Sequence, residues 1–131
     1  MEKSTICGLA HIGIMTADIQ KSIDFYVKHL NFELANRQTL GPTELAFLRV
    51  GDCVLELIAP ADKAALDALK PGQVDHVALK VNDLDAEVVR LERAGIKFFA
   101  PARYIDLFAG GSRCIFFAGP SGERIELFQI L

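Results

Sequence analysis

The sequence has no excess of basic residues, few cysteines and no long apolar run, and each shortage excludes a class of protein. Its 14 Lys and Arg against 17 Asp and Glu give a net charge of −3, so a nucleic-acid-binding surface is not expected. No apolar stretch approaches the length of a bilayer span, and Met1–Thr5 lacks the apolar character of a signal peptide. The three cysteines form no C-x-x-C pair, which favours reduced thiols that fill space in apolar strands. We therefore expect a cytoplasmic protein without membrane or nucleic-acid partners.

The chain does have enough apolar material for a core, since 51% of its 131 residues are hydrophobic and 24% are charged. This length fits one compact domain or two small halves packed together. We expect one domain over residues 1–131, with a first module at about 8–60, a connector at 61–72 and a second module at about 73–131.

The same order of elements occurs twice along the chain. Asp18 and Asp83 are predicted helix N-caps, each followed by apolar residues at helical spacing. Asn31 and Gly95 are predicted to close these helices. The alanine-rich stretch 61–70 predicts a short connecting helix. The predicted extended segments are 8–15, 32–37, 44–50 and 53–59 in the first half, and 74–81, 96–100, 114–118 and 124–130 in the second.

Aligning the two halves shows that they repeat in detail. His11 aligns with His76, and at the same offset Asp18 meets Asp83. Near the end of each half, Glu56 and Glu126 lie in the matching runs Leu-Glu-Leu and Ile-Glu-Leu. Each half therefore reads as a β-α-β-β-β unit, and an internal repeat of this kind defines the architecture before any fold is named.

The repeated histidine and glutamate are the residues that suggest chemistry. A carboxylate in the middle of an apolar strand loses its hydration unless a cation, a salt bridge or a wet sheet face compensates. For one glutamate a wet face is the simpler interpretation, and one histidine beside apolar residues is commonly structural. The coincidence in both halves favours a metal instead. If the halves pack with two-fold symmetry, His11, Glu56, His76 and Glu126 converge as ligands that suit Zn, Ni, Co, Mn or Fe and leave positions open.

These motifs resemble the vicinal oxygen chelate superfamily, which has the glyoxalase-like fold. The segments that carry the resemblance are Ala10–Ile14, Asp18–Tyr26, Val54–Leu57, Asp75–Leu79 and Gly119–Leu127. The resemblance implies an α+β fold in which two βαβββ modules form an open, curled mixed β-sheet around the metal. It places the four ligands at His11, Glu56, His76 and Glu126, and it implies a homodimer.

The resemblance to glyoxalase I implies a metal-dependent lyase or isomerase that converts a hemithioacetal to a thioester through an enediolate. The metal would hold two neighbouring substrate oxygens, and Glu126 would move the proton with Glu56 as its partner. Two departures disfavour glutathione as the thiol: Met15 stands where bacterial glyoxalases tend to have arginine, and Ile58–Pro60 lacks their asparagine. The anionic substrate could instead be bound by one of four arginines, Arg37, Arg49, Arg103 and Arg113.

Two alternatives remain open. The runs His11–Ile14 and Leu55–Pro60 also resemble methylmalonyl-CoA epimerase, whose proton removal beside a thioester carbonyl uses the same parts. Against it, the turn Gly119–Gly122 is shorter than the usual insertion of that family. The other alternative is a non-catalytic, drug-sequestering protein of the same fold, although such binders usually lose metal ligands.

Overall fold

The computed structural model describes residues 3–62, 64, 70–120 and 122–131, which form two compact units. One unit is His11–Asp75, and the other contains the chain up to Ala10 together with His76–Leu131. The predicted connecting helix at 61–70 falls mainly on residues 63 and 65–69, which lie outside the described residues. No helix in the described ranges is long and apolar enough to cross a membrane.

The first βαβββ unit, which consists of residues from His11–Asp75 and the start of its first strand, places one helix against one face of a four-stranded sheet. Its elements are β1 (Ile6–Met15), α1 (Ile19–His29), β2 (Glu33–Leu40), β3 (Thr43–Val50) and β4 (Cys53–Ala59). The strand order is β2-β3-β4-β1, with β1 parallel to β4 and the other pairs antiparallel. The Asp18 side chain accepts the Lys21 N–H and caps α1, as predicted. The helix then packs on the sheet through a buried cluster of Ile19, Ile23, Ala46, Leu48 and Leu57.

The second unit repeats this arrangement. Its elements are β5 (Val74–Val81), α2 (Leu84–Arg93), β6 (Arg103–Ile105), β7 (Ser112–Ala118) and β8 (Arg124–Ile130). The strand order is β5-β8-β7-β6, and β5 is parallel to β8. Asp83 caps α2 by accepting the Ala86 N–H. The helix face of this sheet is covered by Val81, Leu84, Leu91, Ile115, Phe117 and Leu127. The predicted α+β class, with mixed strand directions and a βαβββ order in each half, is confirmed.

The predicted extended segment Ile96–Ala100 is wrong as a strand. It contributes only a single bridge between Phe98 and Phe117, and the strand that borders β7 is Arg103–Ile105. Pro101 lies between the two segments and has no N–H to donate to a ladder, so regular pairing begins only after it. The first half has no proline at this point, and there β2 extends to Leu40.

Asn31 and Gly95 close the two helices, as predicted. The C-cap positions themselves are the preceding residues, Leu30 and Ala94, so Gly95 stands one residue beyond the C-cap. Asn31 and Gly95 follow directly, with φ angles of 62° and 92°. Asparagine and glycine tolerate this left-handed conformation best, which explains why they mark the helix ends without being the caps themselves.

A buried glutamate fastens the N-terminal residues to α2. The Glu87 carboxylate accepts hydrogen bonds from Thr5 N at 2.7 Å, Ser4 Oγ at 3.0 Å and Arg90 Nε at 2.9 Å. Burial acts to raise the pKa of Glu87, but the hydrogen bonds from Arg90, Thr5 and Ser4 outweigh it and hold the pKa below its ordinary value. The charged carboxylate therefore stabilises the attachment of the irregular segment that precedes β1.

We expect Glu87→Gln to lower the free energy of unfolding by about 2 kcal/mol at pH 7, because hydrogen bonds to a charged acceptor are lost. Folding lowers the pKa of Glu87. The contribution of Glu87 to the free energy of unfolding is therefore complete at a pH above the ordinary glutamate pKa, and it disappears as the pH falls through the pKa of Glu87 in the folded protein. Urea unfolding at pH 7 and at successively lower pH measures both effects.

The control is Glu92→Gln, which changes an exposed glutamate on the same helix. This variant should leave stability nearly unchanged. A Glu87→Gln loss that stays constant down to the acid-unfolding limit would contradict the assignment of the effect to the charged carboxylate.

Candidate metal centre

The first unit buries His11 beside Glu56 on the sheet face that α1 does not cover. The parallel pairing of β1 with β4 sets Gly13 opposite Glu56. His11 lies two residues before Gly13, so strand alternation puts its side chain on the same face as Glu56. His11 Nε2 lies 3.5 Å from Glu56 Oε1, and both side chains are buried.

The second unit builds the same pair with the same register. Ala78 lies opposite Glu126 in the parallel pairing of β5 with β8, and His76 precedes Ala78 by two residues. His76 Nε2 lies 3.3 Å from Glu126 Oε1, and both residues are buried. All four predicted ligands are therefore buried, and each histidine meets the glutamate of its own half.

A phenylalanine supports the histidine in each unit. Phe47 on β3 lies opposite Glu56 on the antiparallel strand β4, and Phe116 on β7 lies opposite Glu126 on the antiparallel strand β8. Phe47 meets the His11 ring edge-on at a centroid distance of 5.4 Å, and Phe116 meets His76 in the same way at 5.6 Å. Such packing fixes the imidazole planes, which metal ligation requires. Neither phenylalanine stands out as a site residue in the sequence, although their near-equivalent places in the repeat are a usable signal.

The geometry of each pair fits a shared cation. Two ligand atoms held about 2.0–2.1 Å from a tetrahedral ion lie about 3.3 Å apart. The observed separations of 3.3 and 3.5 Å between imidazole nitrogen and carboxylate oxygen agree with this value. Neutral imidazole and carboxylate form a donor set that suits Zn, Ni, Co, Mn and Fe. A cation would also offset the cost of burying each carboxylate.

The two units differ beyond these pairs. Two residues before Phe47 is buried Leu45, whereas the matching position before Phe116 is Cys114. Two residues before Glu56 is Val54, whereas Arg124 precedes Glu126 and lies 4.1 Å over the Phe116 ring. Met15 is buried on the same face of the first unit, because His11, Gly13 and Met15 are alternate residues of β1. The Leu45 and Val54 positions are therefore aliphatic in the first unit, whereas in the second the matching positions carry a thiol and a cation. The nearby cation of the first unit is Arg49, which lies opposite Val54 and pairs with Glu33.

Burial is the main reason that the pKa of Cys114 rises to about 11, and the nearby Glu126 charge adds to the rise. A hydrogen bond from Arg103 and its positive charge act in the opposite direction. Cys114 is thus a protonated thiol between Arg103 and Glu126 at neutral pH. The expectation of space-filling thiols in apolar strands holds for buried Cys114 but not for Cys7 and Cys53, which are exposed.

Three of the four arginines considered for substrate binding are held by neighbouring side chains. Arg49 pairs with Glu33 at 2.9 Å and Arg113 with Asp85 at 2.9 Å. Arg37 donates to Gln20 at 2.6 Å and reaches Glu44 at 3.5 Å. The fourth, Arg103, lies opposite Cys114 in the pairing of β6 with β7. The structure therefore singles out Arg103, and it adds Arg124, which the sequence did not indicate as a binding residue.

Two βαβββ modules, each with a buried His–Glu pair on the helix-free sheet face, define a glyoxalase-like protein. A model of the Glyoxalase/Bleomycin resistance protein/Dioxygenase superfamily matches residues 8–127, so the chain belongs to this superfamily. The resemblance inferred from the sequence motifs is thereby confirmed.

Similar proteins include two whose names state an activity. A methylmalonyl-CoA epimerase of Mycobacterium tuberculosis is 30% identical, with a TM-score of 0.85 over 100% of this chain and 93% of the other. A lactoylglutathione lyase of Neisseria meningitidis is 28% identical over 130 residues, covering 92% of this chain and 89% of the lyase. The uncharacterized protein YwbC of Bacillus subtilis is 36% identical over 121 residues, covering 91% and 94% of the two chains.

We expect Cys7 and Cys53 to react readily with Ellman's reagent at pH 8, and Cys114 to react far more slowly. With a pKa of about 11, only about one Cys114 thiol in a thousand is ionised at this pH, and the group is also buried. Absorbance at saturation should count two fast thiols, and a third should appear only when urea is added. The Cys114→Ala variant should keep the fast thiols and lose the slow one; three fast thiols in the folded protein would refute the assignment.

Proposed function

We propose that the chain is a metal-dependent lyase or isomerase of the glyoxalase type, in which His11, Glu56, His76 and Glu126 hold one divalent ion. The observation that supports this most is the repetition of a buried His–Glu pair with the same strand register and nearly the same separation. Burying four ligand-capable side chains lowers the free energy of unfolding, and a sheet does not need them in order to be stable. Their retention in both halves favours a role in binding and chemistry.

The proposed reaction step is proton transfer at a carbon next to a carbonyl group. A bound divalent metal supplies a Lewis acid that polarises oxygen and offsets negative charge. Glu126 takes the proton from one carbon and returns it to the next, and Glu56 is its partner across the substrate. Glu126 is chosen from the family resemblance. A carboxylate held tightly by a cation is a weak base, so Glu126 would act as the base only if a bound metal held it more weakly than the other ligands.

The first candidate reaction is isomerisation of a hemithioacetal to a thioester. The similarity to lactoylglutathione lyase supports it. Met15 is a buried apolar residue on the sheet face that carries His11. Bacterial glyoxalases tend to have an arginine at this position, so the thiol end of the substrate would meet an apolar side chain here. A thiol carrier other than glutathione follows from that substitution and from Pro60.

The second candidate reaction is epimerisation beside a thioester carbonyl, as in methylmalonyl-CoA epimerase. The specific observation in its favour is the 30% identity to such an epimerase across the whole chain. Both reactions remove a proton from carbon next to a carbonyl, and both need the same four ligands. A non-catalytic small-molecule binder is the remaining alternative. A measurement of bound metal together with turnover would exclude it.

A cytoplasmic homodimer is also proposed, from the family resemblance. In that arrangement each site is completed either within one chain or between two chains. Light scattering of the purified protein measures the oligomeric state directly, and a monomer at micromolar concentration would contradict the dimer.

If both pairs hold the same ion, the purified chain should bind one divalent metal per polypeptide. His11→Ala and His76→Ala should each weaken that binding, by about tenfold or more, because each removes one ligand. Calorimetric titration of Zn, Ni and Co into chelator-treated protein gives both stoichiometry and affinity. His29→Ala, at the exposed end of α1, is the matched control and should bind normally.

Two ions per chain would contradict a shared site, because each pair would then bind its own metal. No binding, with no gain of activity on adding Ni, Co or Zn, would refute the metal-dependent enzyme. Binding lost in only one of the two histidine variants would restrict the site to that pair.

We expect Glu126→Gln to lower turnover about 1,000-fold, because it removes a general base and keeps the side-chain shape. Turnover and solvent-deuterium exchange are measured on metal-loaded protein with methylglyoxal–thiol adducts and with methylmalonyl-CoA. The thermal unfolding midpoint should change little. Glu92→Gln, an exposed change of the same type, is the control, and near-normal activity of Glu126→Gln would refute the base assignment.

A further inference from the structure

A small cavity in the second unit lies beside the Glu126 strand. Its volume is about 250 Å³, which suits a small group and excludes a whole nucleotide cofactor. The lining includes the two arginines that distinguish this unit, Arg103 and Arg124, together with Cys114 and Phe116. This cavity therefore combines a small volume with two permanent positive charges, both on exposed residues.

The cavity is connected to the proposed catalytic residues through direct side-chain neighbours. Phe116 packs against His76 at 5.6 Å on one side and carries Arg124 over its ring at 4.1 Å on the other. Cys114 interacts with both Arg103 and Glu126. Arg103, Cys114, Phe116 and Arg124 belong to the same strand-alternation set as His76 and Glu126, whereas the rest of the lining is apolar and consists of Phe99–Pro101 and Ile115. The polar side of the cavity therefore borders the sheet face that carries His76 and Glu126.

We propose that this cavity is an anion subsite in which Arg103 and Arg124 bind a carboxylate or phosphoryl group of the substrate. Guanidinium groups match such oxyanions because their N–H donors are planar and can bind two oxygens at once. The first unit has Gln38 opposite Leu45 and Val54 before Glu56, so it offers no equivalent pair of cations. The assignment of this group to the reacting substrate depends on the proposed function, whereas anion binding in the cavity does not.

Substrates that carry an anionic group a few atoms from the reacting carbon are the class that this geometry selects. The anion is fixed at the Arg103–Arg124 end, and the adjacent carbonyl extends along the sheet face toward Glu126. An acyl thioester with a free carboxylate meets this description, and so does a hemithioacetal whose aldehyde portion is acidic. A neutral aldehyde adduct leaves the subsite unused.

The test measures anion binding to metal-free protein, so that a metal cannot bind the probe. Inorganic phosphate and malonate are titrated separately while the arginine Nε–H signals are followed by nitrogen-15 NMR. We expect saturable shifts of the Arg103 and Arg124 signals at millimolar concentration. Arg103→Gln and Arg124→Gln should each raise the dissociation constant at least about tenfold, which corresponds to about 1.4 kcal/mol. Tighter binding of phosphate would identify a phosphoryl group, and tighter binding of malonate a carboxylate.

The matched control is Arg113→Gln, which removes the same charge from the same sheet but from an arginine paired with Asp85. It should bind both anions normally. Equal weakening in all three variants would show non-specific attraction and overturn the subsite, as would the absence of saturable shifts. Anion binding that persists in a protein without metal or turnover would refute only the proposed enzyme. Normal metal binding and turnover without arginine-dependent anion binding would refute only the subsite.

Discussion

The interaction on which the rest of the structure depends is the contact between a buried histidine and a buried glutamate on neighbouring parallel strands. It occurs at 3.5 Å in one unit and at 3.3 Å in the other. A carboxylate taken out of water costs several kcal/mol unless it gains a compensating charge, so this arrangement is unfavourable as plain architecture. The parallel pairing makes it possible, because it sets both side chains on the same face without any turn or loop.

The single helix of each unit determines which sheet face is available for chemistry. In the first unit α1 covers Ala46, Leu48 and Leu57, and the alternate residues of the same strands project from the opposite face. In the second unit α2 covers Ile115, Phe117 and Leu127 in the same manner. The hydrophobic core and the ligand face therefore alternate along the same strands, so that Glu126 lies directly between Ile125 and Leu127. A shift of β8 by one residue would exchange core and ligand positions together.

Much of the fold could be predicted because its signals are local. The Asp18 and Asp83 caps follow from side chains and backbone preferences within a few residues. The equivalence of the His–Glu pairs followed from the repeat. In contrast, the position of β6 depends on which segment reaches β7 after Pro101, and periodicity carries no information about that. Phe47, Phe116 and Arg124 escaped notice as site residues because their roles arise from register and side-chain packing between strands.

The repeat and its exceptions carry different information about function. Residues that both modules share, the histidines and glutamates, fit chemistry common to a lyase, an epimerase and other metal-dependent reactions, so they discriminate poorly among substrates. Discrimination must come from positions at which the modules differ. On the ligand face these are apolar Leu45 and Val54 in the first unit, against Cys114 and Arg124 in the second. At these positions one module offers aliphatic side chains and the other a thiol and a cation, so the two modules present different contacts. In the proposed enzyme the duplicated residues would therefore set the type of reaction, and the divergent residues would set the choice of substrate.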